Sequence, residues 1–164
     1  MSIDSTLETE RKYQRTDRFA GVSYSLIVGI GLDLYSGLNF AGVALSRLQG
    51  TTVNYITGRH YGKWQDYWYH KVGATKDASY QFVRERAADF IAFNSFQTPF
   101  YAGIVAIADF ISTGEIHKEK IENAVYSTVI ISSWMAPTYN LWINFCRKRA
   151  GLKTSQDLAQ EESH

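Results

Sequence analysis

The chain has 164 residues, enough for one domain of ordinary size, with 17 Lys plus Arg against 16 Asp plus Glu. That balance provides no basic surplus, so no nucleic-acid partner is expected, and the lone cysteine, Cys146, rules out an internal disulfide. His60, His70, His117 and His164 are too scattered for a structural metal, and no nucleophile with a base, phosphate loop or metal set marks an enzyme. Only two prolines, in a chain that is 15% aromatic, favour long helices over strands.

The mean hydropathy of -0.24 averages over charges that are segregated. The first eighteen residues are polar and read as an amino-terminal segment, 1–18. From Phe19 to Gly58 the only formal charges are Asp33 and Arg47. The turn-like "SGLN" at 36–39 divides this stretch into a first candidate span, about 19–37, and a second, about 41–61. A third, about 88–110, holds nineteen uncharged residues between Asp89 and Asp109. The fourth, 123–146, is the clearest, and a flexible tail, 148–164, comes after it. Each candidate falls in the ~17–25-residue length that crosses a hydrocarbon core. The expected fold is therefore an all-α membrane protein with four transmembrane helices in a compact bundle, occupying 19–147. No cleavable signal peptide is expected, because the early apolar stretch runs on too far.

Lys and Arg alternate along the chain. Arg11, Lys12, Arg15 and Arg18 precede the first span, and the turn at 35–40 has no base. Arg59, Lys63, Lys71, Lys76, Arg84 and Arg86 lie between the second and third spans. Only Lys118 and Lys120 lie between the third and fourth, offset by three Glu, and Arg147, Lys148, Arg149 and Lys153 come after the fourth. Rich, poor, rich, poor, rich is the positive-inside pattern, with both termini in the cytoplasm. The aromatic run "KWQDYWYHK" at 63–71 suits the headgroup layer.

In the first span Gly21, Ser25, Gly29 and Asp33 recur every four residues and share one face. Thr128, Ser132, Ala136 and Asn140 do the same in the fourth. Small residues let membrane helices approach closely, so both stripes point inward. Pro99 and Pro137 each remove a backbone donor, which frees the carbonyls of Ser95 and Ser133 near mid-span. Asp33 and Arg47 flank one short turn and are placed to pair across it, while Asp89 opens the third span. Asn54 lies in the second span, and Asn94, Gln97 and Tyr101 share a face of the third. Donors such as Arg47 beside acceptors such as Asp33 and Asp89 suit a small zwitterion, and buried carboxylates suit proton transfer.

Several stretches resemble the L-alanine exporter family: "SGLNF" (36–40), "LSRL" followed by "VN" (45–48, 53–54), "YGKWQD" (61–66), "ADFIAFNSFQTPFYAGI" (88–104) and "NFCRK" (144–148). The resemblance implies a multi-pass protein of the bacterial inner membrane. It would export L-alanine and related small amino acids by proton antiport, with neither metal nor organic cofactor. It places the family's in-membrane acids on Asp33 and Asp89 and its Ser-Arg-Leu arginine on Arg47. The expected substrate and proton pathway thus comprises Asp33, Arg47, Asn54, Asp89, Asn94, Gln97, Pro99 and Tyr101. Two departures from the pattern stand out: Ala136 and Asn140 stand for a Gly-xxx-Gly, and Asn144 stands for a closing acid. Four spans make a thin-walled path, which leaves room for a homo-oligomer. The alternative is a small membrane scaffold or regulatory protein that transports nothing.

Overall fold

Four helices of 32 or 33 residues make up most of the molecule: α1 (Ile3–Tyr35), α2 (Phe40–Lys71), α3 (Gln81–Thr113) and α4 (Lys118–Arg149). A seven-residue helix, α5 (Ser155–Glu161), completes the set. The computed structural model describes residues 3–35, 40–76 and 79–161, and some side chains within the helices, those of Asp33 and Asp109 among them, lie outside the described residues. The "SGLN" turn at 36–39 also lies outside them.

Each long helix extends ~48–50 Å at 1.5 Å per residue. No proline interrupts the polar start of α1, so the helix begins at Ile3, well before the apolar stretch. Helix ends fall where left-handed glycines allow them. At Gly73 (φ 62), Ala74 N–H reaches back to the Tyr69 carbonyl at 2.9 Å. At Gly151 (φ 65), Leu152 N–H reaches the Arg147 carbonyl at 2.9 Å. Both closures satisfy carbonyls that a helix end leaves unpaired. Past α4 the chain turns back at Gly151, and residues 155–161 form α5 against α2. A reciprocal cap starts it: Asp157 Oδ2 accepts the Thr154 N–H at 2.9 Å, and Asp157 N–H meets Thr154 Oγ1 at 3.3 Å.

Helix neighbours run α1–α2–α3–α4 and back to α1, a closed antiparallel bundle. Its interior is unusual in what it buries. Alanines (Ala20, Ala88, Ala92, Ala136) and tyrosines (Tyr61, Tyr69, Tyr139) accompany Asp17, Gln65, Asp89, Asn140 and Arg147, all nearly or fully buried. Large apolar side chains face outward on every long helix, including Ile27, Ile56, Phe100, Ile107, Ile130 and Leu141. Among the described residues, no helix is long and apolar enough to cross a membrane. Length is ample; polar residues such as Gln49, Thr52 and Asn54 in α2, or Asn94, Ser95 and Gln97 in α3, break up the apolar runs.

Candidate functional site

A cavity of about 510 Å³ opens between the four long helices. Its most distinctive wall is Arg47 of α2, laid across α1. Arg47 Nη1 donates to the Ser25 carbonyl at 2.8 Å and lies 3.4 Å from Ser25 Oγ. Gly29 makes this possible: a Cβ there would fall 1.4 Å from Arg47 Nη1. Two turns away on the same face, a Cβ at Gly21 would meet Tyr139 Oη at 3.0 Å. The Gly21–Ser25–Gly29 stripe thus does face the bundle interior. It serves as the bed for an arginine and a tyrosine.

Aromatic rings floor the cavity. Tyr24 lies 4.7 Å from Tyr139, centroid to centroid, and Tyr139 stacks on Tyr61 at 5.0 Å with planes 21° apart. Phe93 meets Tyr139 edge-on at 6.4 Å. The Tyr24 hydroxyl shares a 2.7 Å hydrogen bond with Thr138 of α4. Stacked and edge-on pairs of this kind hold one another in place.

Of the residues expected on the pathway, Arg47, Asn54, Gln97 and Tyr101 line this cavity together. Asp33 belongs to α1, but its side chain lies outside the described residues, and so does its pairing with Arg47. Asp89 sits apart from the cavity and is buried. The Tyr69 hydroxyl donates to Asp89 Oδ1 at 2.8 Å, the Asn140 amide donates in turn to the Tyr69 oxygen, and Arg86 Nη1 stands 3.7 Å from Asp89 Oδ2. Burial and the neighbouring Asp89 carboxylate push the Tyr69 phenol well above its ordinary range, so it remains a donor. Asn94 bonds across the α3–α4 seam, its Nδ2 giving to Ser132 Oγ at 2.7 Å and to the Phe90 carbonyl at 2.9 Å. Pro99 is exposed, and the Ser95 hydroxyl one turn earlier returns to the Ile91 carbonyl while accepting from Trp64 Nε1 at 2.9 Å.

A second polar centre lies at the end formed by the start of α1 and the ends of α2 and α4. Arg147, fully buried, gives Nε to Asp17 Oδ1 at 2.8 Å, Nη2 to Asp17 Oδ2 at 3.0 Å and Nη1 to Asp66 Oδ1 at 2.6 Å. Arg59 continues the cluster, with Nη1 2.9 Å from Asp17 Oδ2 and Nη2 2.7 Å from Glu10 Oε2. The Tyr13 ring lies under both guanidiniums, 4.7 Å from Arg59 and 5.2 Å from Arg147. Burial opposes the Arg147 charge, but Asp66 and Asp17 outweigh it and hold the guanidinium above its ordinary range. Charge patterning alone places these side chains in solvated loops. The one available signal was Gly58 and Gly62 on a face of α2, and a Cβ at Gly62 would sit 2.3 Å from Asp17 Oδ2.

Comparison with known proteins bears on this arrangement. The profile of the AlaE family, described as L-alanine exporter, matches residues 8–153. The chain belongs to the L-alanine exporter family. It is 32% identical over 133 residues to the L-alanine exporter AlaE of Pectobacterium parmentieri (strain WPP163), covering 80% of this chain and 86% of the relative. The L-alanine exporter AlaE of Escherichia fergusonii is 28% identical over 145 residues, 87% of each chain. That of Escherichia coli (strain K12) is 26% identical over 142 residues, 86% of this chain and 89% of the relative. No solved structure matches. Asn140 joins α4 to Tyr69 of α2, and Asn144 Nδ2 donates to Asn140 Oδ1 at 3.1 Å.

Proposed function

We propose that this protein is a secondary exporter of L-alanine and related small amino acids, driven by protons. On this reading it spans the bacterial inner membrane four times with both termini in the cytoplasm. The carrying observation is the cavity in a member of the exporter family: one guanidinium, amides from Asn54 and Gln97, and an aromatic floor, held inside a helical bundle. The substrate carboxylate pairs with Arg47, whose planar fork suits it. Its short side chain rests against Tyr139 and Phe93. Asp89, buried beside Tyr69 and Asn140, carries the coupling proton. Asp33, Asn94, Pro99 and Tyr101 complete the route.

The inverted packing supports a lipid surround. In water a bundle buries its large aliphatic groups; this one buries alanines, tyrosines and charges beside few large aliphatics such as Ile143, and turns Ile27, Ile56, Ile107, Ile130 and Leu141 outward. Helices in lipid associate through small and polar residues, because apolar side chains gain nothing by leaving hydrocarbon. Polar groups along the spans are then tolerated because many of them face the interior.

The test is L-alanine transport in membrane vesicles under a controlled proton gradient, with Asp89→Asn and Arg47→Gln as variants. Gradient-driven alanine movement that both variants abolish supports the reading. Equal movement in vesicles with and without the protein would refute it. A scaffold that transports nothing would retain its role with Asp33, Arg47 and Asp89 neutralised together.

A further inference from the structure

We propose that the buried ionic cluster of Asp17, Arg59, Asp66 and Arg147 is the cytoplasmic gate of the transport route. The proposal rests on the export reading above. An exporter loads its cargo from the cytoplasm, so the cytoplasmic end of the bundle has to open in each cycle. The cavity residues Gly29 and Arg47 lie about two turns from the Tyr35 end of α1 and the Phe40 end of α2, away from Arg147, and Gln97 lies at the middle of α3. Tyr24 and Tyr139 line the cavity on the side toward Arg147, and Tyr61 stacks on Tyr139 behind them. Beyond these rings, α1, α2 and α4 meet at Arg147, which reaches Asp17 and Asp66 with four hydrogen bonds of 2.6–3.2 Å.

The chemistry of this closure suits a part that opens. In a buried ion pair the attraction roughly offsets the cost of removing both charges from water. When the end opens, water replaces each partner, so the closed and open forms differ little in free energy. A two-state element of that kind is what a substrate of modest affinity can shift. Apolar packing of the same extent would favour the closed form alone.

Glycines set the tightness of the closure. A Cβ at Gly58 would stand 2.9 Å from the Arg18 Cα, and one at Gly62 would stand 2.8 Å from Arg147 Nη2 as well as against Asp17. α2 therefore lies backbone-close to α1 only because no side chain intervenes. α5 adds a latch. Ser155 Oγ donates to Asp66 Oδ1 at 2.7 Å and accepts from Arg147 Nη1 at 3.2 Å. The Ser155 N–H also faces Asn144 Oδ1 at 3.4 Å, and Asn144 bonds to Asn140 beside Tyr69 and Asp89. The gate and the buried Asp89 thus share one hydrogen-bonded chain.

Cys146, the chain's one cysteine, is a built-in reporter. It is buried in the aromatic cluster, next in sequence to Arg147. The experiment uses the full chain in inverted membrane vesicles, whose cytoplasmic face is outward, with a membrane-impermeant maleimide and L-alanine as probe. Cys146 should react slowly alone and several-fold faster with L-alanine. Asp66→Asn should raise the basal rate several-fold and shrink the effect of L-alanine. Ser155→Ala, which removes one hydroxyl and leaves every charge, should shift both in the same direction by less. Active L-alanine transport with Cys146 labelling unchanged by L-alanine and by both variants overturns the gate and leaves the export reading standing. Vesicles that move no L-alanine overturn the export reading and the gate with it.

Discussion

Gly29→Ala tests the link between helix packing and substrate binding with a single methyl group. The new Cβ would stand 1.4 Å from Arg47 Nη1 and 2.4 Å from Arg47 Cζ. Carbon contacts settle at about 3.5–4.0 Å, so the guanidinium has to withdraw by ~2 Å. The 2.8 Å bond to the Ser25 carbonyl does not survive such a shift. A hydrogen bond from a charged group contributes about 1.5–3 kcal/mol, and each 1.4 kcal/mol is roughly tenfold in an equilibrium constant. L-alanine efflux should fall by about 10- to 100-fold, with the amount of protein in the membrane unchanged. Gly31→Ala is the matched control, because a Cβ there meets nothing within 4 Å. Both changes bring the same gain in helix propensity, about 1 kcal/mol, so the contrast isolates Arg47. Efflux counted from dipeptide-loaded cells, normalised to protein in the membrane, reads the result. Wild-type efflux in Gly29→Ala, or an equal loss in Gly31→Ala, would show that Arg47 does not act from this position.

Other changes bear on the rest of the molecule. Gly62→Ala drives a methyl between Asp17 and Arg147. Forced apart while both stay out of water, the partners become uncompensated buried charges, at about 3–5 kcal/mol, which thermal unfolding of the detergent-solubilised protein should register as a large fall in midpoint. Tyr69→Phe removes the hydroxyl between Asp89 and Asn140 and leaves a buried acceptor short of a donor, at about 1–3 kcal/mol. It should lower efflux and move its pH profile, as measured in vesicles at fixed gradient. Asp157 is held at about 2 against an ordinary 3.8; burial pushes it up, and hydrogen bonds from Lys76 and Thr154 outweigh that. A depressed carboxylate contributes stability that is complete above pH 3.8 and is lost as pH falls through about 2. For so exposed a pair the contribution is on the order of 1 kcal/mol. Amide exchange should show α5 opening in that window, and Asp157→Asn should flatten the response.

Much of the cavity half of the bundle was legible because its signals lie within single helices. A four-residue repeat of small groups marks a helix face wherever it occurs, so Gly21, Ser25 and Gly29 announced an inward surface before any partner was known. Thr128, Ser132, Ala136 and Asn140 did the same for α4, and the last three are buried. Arg47, Asn54, Gln97 and Tyr101 stood out through the cost of polar groups in a span, and the cavity collects all four. The half of the bundle around Arg147 was not legible, for a physical reason. Arg147 and Asp17 are 130 residues apart, and whether they meet depends on the register of α4 against α1, which neither helix encodes alone. Each sits at the edge of a charge-poor stretch, where a charge by default reaches water. Its burial needs the other's charge, the tyrosine beneath and the two glycines of α2 at once. Helix limits show the same division. A hydropathy profile starts the first span near Phe19 because lipid solvates only the apolar residues from there on, while the backbone is helical from Ile3 because nothing between breaks it. That extra polar length carries Glu10, Tyr13 and Asp17 to the ends of α2 and α4. A charge-segregated sequence therefore yields two polar regions inside the bundle: one written in the periodicity of each helix, the other assembled where the helices outrun the apolar stretches and touch.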